Sequence, residues 1–177
     1  ARCTGRIHLL CHSMGNWALR GAVQAMRTYV GNNIPPLFDE VILIAADEDD
    51  DTLHAGHKIA PILRGCRRVT VYYNHQDLAL KASDYAMGNP DRLGRSGPRG
   101  EGTLSSKVSV VNVSPTIILN AKGANAWQKD VSGHQYYRNN PLARQDRGQV
   151  LLGRLDEDFA AAKERRRNDF GDFWRLE

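Results

Sequence analysis

Ser13 is the residue around which a reaction can be built. It stands in Leu10-Cys11-His12-Ser13-Met14-Gly15, directly after the apolar run Ile7 to Cys11 and directly before a helix-like stretch, Asn16 to Val30. A serine between an apolar strand and a helix, with a small residue two positions before it and glycine two positions after, has the layout of a nucleophile elbow. Such a turn strains the serine backbone and brings the flanking chain close together, so large side chains at positions 11 and 15 would collide. Gly15 meets that demand fully, and Cys11 meets it in part, since glycine usually stands there. The turn also aims the first amides of the helix at the reaction centre, which makes the backbone N–H of Met14 the candidate oxyanion donor.

A serine hydroxyl needs a base to take its proton, and the base needs an acid to orient it. In an open parallel sheet these groups come from the carboxyl ends of strands. The run Val69-Thr70-Val71-Tyr72-Tyr73-Asn74 leads into His75-Gln76-Asp77, which puts Asp77 just past a strand end. His134 follows in the glycine-containing loop Ser132-Gly133-His134-Gln135-Tyr136. Asp47, at the end of an earlier strand, is the alternative acid.

Four runs read as the strands that position these groups: Arg6 to Cys11, Val41 to Ala46, Arg68 to Asn74 and Lys107 to Val113. The second is apolar throughout, as expected of a strand buried on both faces. Helix patterns follow the first strand, over Trp17 to Tyr29, and the second, over Thr52 to Arg64. The alternation predicts an α/β fold, a parallel sheet with helices on both faces. Gly88 to Gly102, rich in Gly, Pro and Arg, reads as a mobile surface loop within a single domain spanning residues 1–177. Asn120 to Asn140 reads as irregular. Asp156 to Arg167 reads as a helix, with acids at its front and bases at its back to suit the helix dipole.

The order Ser13, Asp77, His134 is the serine, acid, histidine order of α/β-hydrolases. The chain resembles the carboxyl-terminal half of such an enzyme, beginning at the nucleophile strand. More closely, it is similar to a bacterial esterase/lipase-like group of that superfamily, of no specific known function, whose elbow reads as His12-Ser13-Met14-Gly15-Asn16 does here. Ala45-Ala46-Asp47, Asp77-Leu78-Ala79-Leu80 and the late His134 carry the likeness, which runs from about Arg6 to Tyr137. The resemblance implies Ser13 as nucleophile, Asp77 as acid, His134 as base, and ester hydrolysis through an acyl-enzyme. Superfamily members have strands before the elbow and a loop that supplies a second oxyanion donor. The chain begins at Ala1 and runs almost at once into a core strand, so it reads as an amino-terminally truncated domain. Its first strand would then form an open edge, a surface for self-association.

Composition narrows the remaining classes. Hydrophobic residues at 41% and charged residues at 25% are ordinary for a soluble globular chain, and no apolar stretch is long enough to span a bilayer. The net charge of +4 is concentrated in Arg64 to Arg68 and Lys163 to Arg167 without interleaved aromatics, a pattern of solvated faces rather than of nucleic-acid binding. Cys3, Cys11 and Cys66 fit neither a disulfide framework nor a metal-ligand spacing, which mildly favours a reducing, cytoplasmic setting. His54 and His57 share a face without a third ligand, and the acids Asp47 to Asp51 lack the pattern of a calcium loop. No metal or organic cofactor is expected. His12 reads as a packed histidine pointing away from Ser13, and Trp127, Tyr136 and Tyr137 as aromatics that could wall an acyl pocket. The reading is a serine hydrolase for small-molecule or lipid-like esters. A noncatalytic hydrolase-like module and an acyltransferase stand as alternatives.

Overall fold

The uninterrupted apolar run Val41 to Ile44 has no polar face to give to water, so it must lie at the centre of a covered sheet. In the computed structural model of the protein all four of these residues are buried. The structure describes residues 5–87, 91–100, 104–117, 132–167 and 173–176. Within them the strands are β1 (Leu9–His12), β2 (Phe38–Ile44), β3 (Cys66–Tyr73), β4 (Val108–Asn112), β5 (Arg165–Arg167) and β6 (Trp174–Leu176). They form one sheet in the order β1-β2-β3-β4-β6-β5, parallel except for the last pair.

The register sorts the side chains onto two faces. Cys11, Leu43 and Val71 lie level on one face, packed against Leu19 and Val23 of helix α1 (Gly15–Val30) and against Ile59, Ile62 and Leu93. Ile42, Ile44, Tyr72 and Val111 lie on the other. There Leu80 of α2 (Leu78–Met87), Tyr136 of α4 (Tyr136–Asn139), Ala143 and Val150 of α5 (Pro141–Leu151) and Phe159 of α6 (Asp156–Ala161) cover them. The expected parallel sheet with helices on both faces is therefore present, with β1 at its edge.

Several expectations need correction. Thr52 to Arg64 is a run of turns ending in a 3₁₀ segment, Ala60–Arg64, because Gly56 adopts φ +88° and Pro61 interrupts any helical ladder. The helix read over Asp156 to Arg167 stops at Ala161, and Lys163 at φ +58° turns the chain into strand β5. Tertiary structure dictates that turn: Arg165 is buried, with Nε 2.7 Å and Nη2 2.6 Å from the two Asp146 oxygens, and its guanidinium lies 3.9 Å over Phe159. Within Gly88 to Gly102, the described residues 91–100 do not form a free loop. They contain helix α3 (Leu93–Ser96), whose Leu93 is fully buried. A Cβ on Gly94 would come within 2.1 Å of the Ala46 nitrogen, so only glycine lets this segment cross the end of β2.

Candidate active site

The turn after β1 puts Ser13 at φ +53°, a left-handed conformation that costs a non-glycine residue about 1–3 kcal/mol. Its backbone is held from three sides. Ser13 N–H donates to the Ile44 carbonyl (3.0 Å), and its carbonyl accepts from Asn16 N (3.1 Å), Asn16 Nδ2 (2.9 Å) and Asp47 N (3.4 Å). The end of the central strand β2 and the first turn of α1 therefore fix the elbow together. Met14 precedes α1, is 58% exposed, and its N–H has no acceptor among the described residues. It stands at the amino-terminal end of a 16-residue helix, where the helix dipole favours negative charge.

The flanking positions behave unequally. Cys11 is buried in the core, and burial pushes its thiol above the usual range. Gly15 departs from the expectation of a crowded position: a Cβ there would meet nothing within 4 Å, and its φ is not positive. The strain of this elbow is carried by Ser13 itself.

Asp77 and His134 meet. The ring Nδ1 of His134 lies 2.7 Å from Asp77 Oδ2, with Asp77 fully buried and His134 8% exposed. The other carboxylate oxygen, Oδ1, accepts the N–H of Leu80 at 2.9 Å, so Asp77 caps helix α2 as well as orienting the imidazole. The loop carrying His134 is tied to the same corner: Leu78 N–H donates to the Ser132 carbonyl (2.8 Å), and Asn74 Nδ2 donates to the Gly133 carbonyl (2.7 Å). Gly133 sits at φ +67°, which allows the sharp bend that brings the ring over the sheet. Among the described residues no hydrogen bond joins Ser13 Oγ to that ring; such contacts often close only when substrate is bound.

Asp47 does not face His134. Its carboxylate accepts from Ser83 Oγ (2.8 Å) and pairs with Arg92 Nε (3.3 Å), while its carbonyl accepts the indole N–H of Trp17. It braces α1 and the post-β2 loop around the elbow. Next to it the fully buried Glu48 pairs with Arg20 Nη1 at 2.9 Å, and burial outweighs that guanidinium to push its carboxyl up to about 7. Tyr136 is buried, accepts the Ala45 N–H (2.9 Å) and donates to the Tyr72 carbonyl (2.8 Å); with Tyr137 it lines a small pocket beside Ile44, Ala143 and Arg147 that contains none of the three candidate catalytic residues. Trp127 lies outside the described residues. His54 and His57 sit in turns, His57 beside Asp51 at 3.3 Å, and no cluster of three metal-ligating side chains occurs among the described residues. A cavity of about 480 Å³ lined by Arg27, Leu53, Leu63 and Arg64 lies at the far end of α1 from Ser13 and contains none of the three candidate catalytic residues.

A strained serine at a strand-to-helix turn and a buried histidine–aspartate pair on the connections after β3 and β4 is an α/β-hydrolase arrangement. The model of an alpha/beta hydrolase family of unknown function, DUF900, matches residues 1–153. The chain belongs to that family. Comparison with curated proteins and with solved structures yields no match. The matched part of the hydrolase ends just past α5, so α6, β5 and β6 lie beyond it.

Proposed function

We propose that this hydrolase cleaves carboxylic esters through a serine acyl-enzyme. His134 takes the Ser13 proton as Oγ attacks the ester carbonyl, Asp77 orients the imidazole and stabilises the imidazolium that forms, and the Met14 N–H donates to the developing oxyanion. Collapse of that intermediate breaks the ester C–O bond, and the proton held by His134 goes to the departing alkoxide. Water, activated by His134 in turn, releases the acid and restores Ser13. The observation that carries this reading is the 2.7 Å His134–Asp77 contact on the connections after β3 and β4, beside a serine turn after β1 at φ +53°.

Turnover of p-nitrophenyl acetate and longer acyl esters is the test. Ser13→Ala and His134→Ala should each lower kcat at least about 10³-fold with the fold intact by circular dichroism, and the double variant should lose little more, because the two residues act as one unit. Equal turnover by wild type and Ser13→Ala would remove the reading. Acyl transfer to an added alcohol in preference to water would reassign the second half-reaction to an acyltransferase.

A further inference from the structure

His12 precedes the elbow serine, and its half-buried side chain reaches His134. Its Nε2 is 3.2 Å from the His134 carbonyl oxygen. A carbonyl can only accept, so this nitrogen carries the proton. The His12 ring also lies between two others, with centroids 4.7 Å from the His134 ring and 4.4 Å from that of Tyr137. His134 is thus held from two connections besides its own loop: its Nδ1 by Asp77 from the β3–α2 connection, and its carbonyl and ring by His12 from the β1–α1 connection. The second grip spans 122 residues of sequence and starts one residue from the nucleophile.

We infer that His12 is a positioning residue that locks the base His134 against the nucleophile turn through its Nε2–H bond to the His134 carbonyl and its ring contact. The inference rests on the assignment of Ser13 and His134 as nucleophile and base. A bond from the residue next to Ser13 to the backbone of His134 fixes the distance between the two reacting groups, and misplacement of about 1 Å costs of the order of 100-fold in rate. The charge state suits the role. Burial is the main influence lowering the His12 pKa, with the His134 ring and Arg138 adding to it, while the bond to the His134 carbonyl and Asp77 pull the other way. A neutral His12 donates the bond without placing a second positive charge beside the imidazolium that forms on His134.

Two substitutions separate the bond from the bulk. The side-chain nitrogen of glutamine reaches about as far as imidazole Nε2, so His12→Gln keeps the donor; His12→Phe keeps the ring and removes the donor. In ester hydrolysis His12→Phe should lower kcat about 10- to 100-fold with KM within about twofold, and His12→Gln should recover to within about threefold of wild type. Should His12→Phe not fold, His12→Asn, whose amide stops short of the carbonyl, serves in its place with the same expected loss. Unchanged kcat in His12→Phe, or equal loss in His12→Gln and His12→Phe, would overturn the inference. The downfield proton resonance of the His134 Nδ1–H···Asp77 bond, assigned by its loss in His134→Gln, gives a readout that needs no turnover. It should be sharp in wild type and His12→Gln and broadened or lost in His12→Phe. Absence of Ser13-dependent turnover in wild type would defeat the esterase reading alone; an unaltered resonance in His12→Phe would defeat the His12 inference alone.

Discussion

The chemistry of the site depends on a few atoms held from opposite sides. Asp77 serves two structures at once, since Oδ1 caps α2 and Oδ2 holds His134. Asp77→Asn keeps its one side-chain oxygen for the cap and then presents an amide N–H, a competing donor, to His134 Nδ1. It should lower kcat by about 10³- to 10⁴-fold with little change in melting temperature, read from paired activity and thermal scans. Glu48 carries a different expectation. Its folded-state pKa, about 7, lies above the ordinary carboxylate value of 4.5, so between those values the folded protein binds more protons than the unfolded chain. Its contribution therefore favours folding at the acid side and is withdrawn as pH rises from about 4.5 to about 7. Glu48→Gln should flatten that part of the stability-versus-pH curve in urea titrations, and an unchanged slope would show Glu48 to be ionised throughout. The turn at Ser13 and the meeting of Asp77 with His134 were legible in the residues, because elbow spacing and strand-end placement are read from short stretches of sequence. Two things were not: the free space around Gly15, and the reach of His12 across the fold to the His134 carbonyl, which no local pattern encodes.

Elements were legible where hydrophobic periodicity decided them and obscure where distant partners did. Strands β1 to β4 and helix α1 fall where apolar runs and spacing put them, shifted by a few residues at their ends. Helix α5 went unread, although Asn140-Pro141 starts it: Asn140 Oδ1 accepts the Ala143 N–H at 3.0 Å and Pro141 occupies the first turn. Strand β5 carried no such signal, since Arg165 is in a strand to satisfy Asp146 and Asp156, and its own neighbourhood reads as a charged helix end. Removing that partner should be costly. Asp146→Ala leaves the buried guanidinium and the Tyr72 hydroxyl without the carboxylate they share, and should destabilise the protein by about 3–5 kcal/mol in denaturant titrations. Gly94→Ala should be similarly severe, because the new methyl would displace the Ala45–Ala46 backbone that follows β2 and supports the elbow. A Gly94→Ala protein with wild-type stability and turnover would show that this close approach is not needed.

At the scale of the molecule, the site is a product of the topology. The parallel β1, β2, β3 and β4 deliver the Ser13 turn, the Asp47 brace and the Asp77–His134 pair to one end of the sheet, while three members of the basic clusters pair within the fold: Arg67 with Asp39 at 2.7 Å, Arg68 with Glu40 at 3.0 Å, and Arg165 with Asp146. Among the described residues no helix is long and apolar enough to cross a membrane. Strand β1 lies at the sheet edge with Leu10 41% exposed, a geometry that favours pairing with a further strand. Leu10→Lys should reduce any concentration-dependent association seen by sedimentation velocity. The central claim, that Ser13 is an activated nucleophile, has a direct measurement. Treatment with a fluorophosphonate, whose phosphorus takes the Ser13 oxygen as fluoride leaves, should add one adduct per chain. Peptide mapping should place that adduct on Ser13, and His134→Ala should lose the labelling. An unlabelled wild-type protein, or an adduct elsewhere with Ser13 untouched, would contradict it.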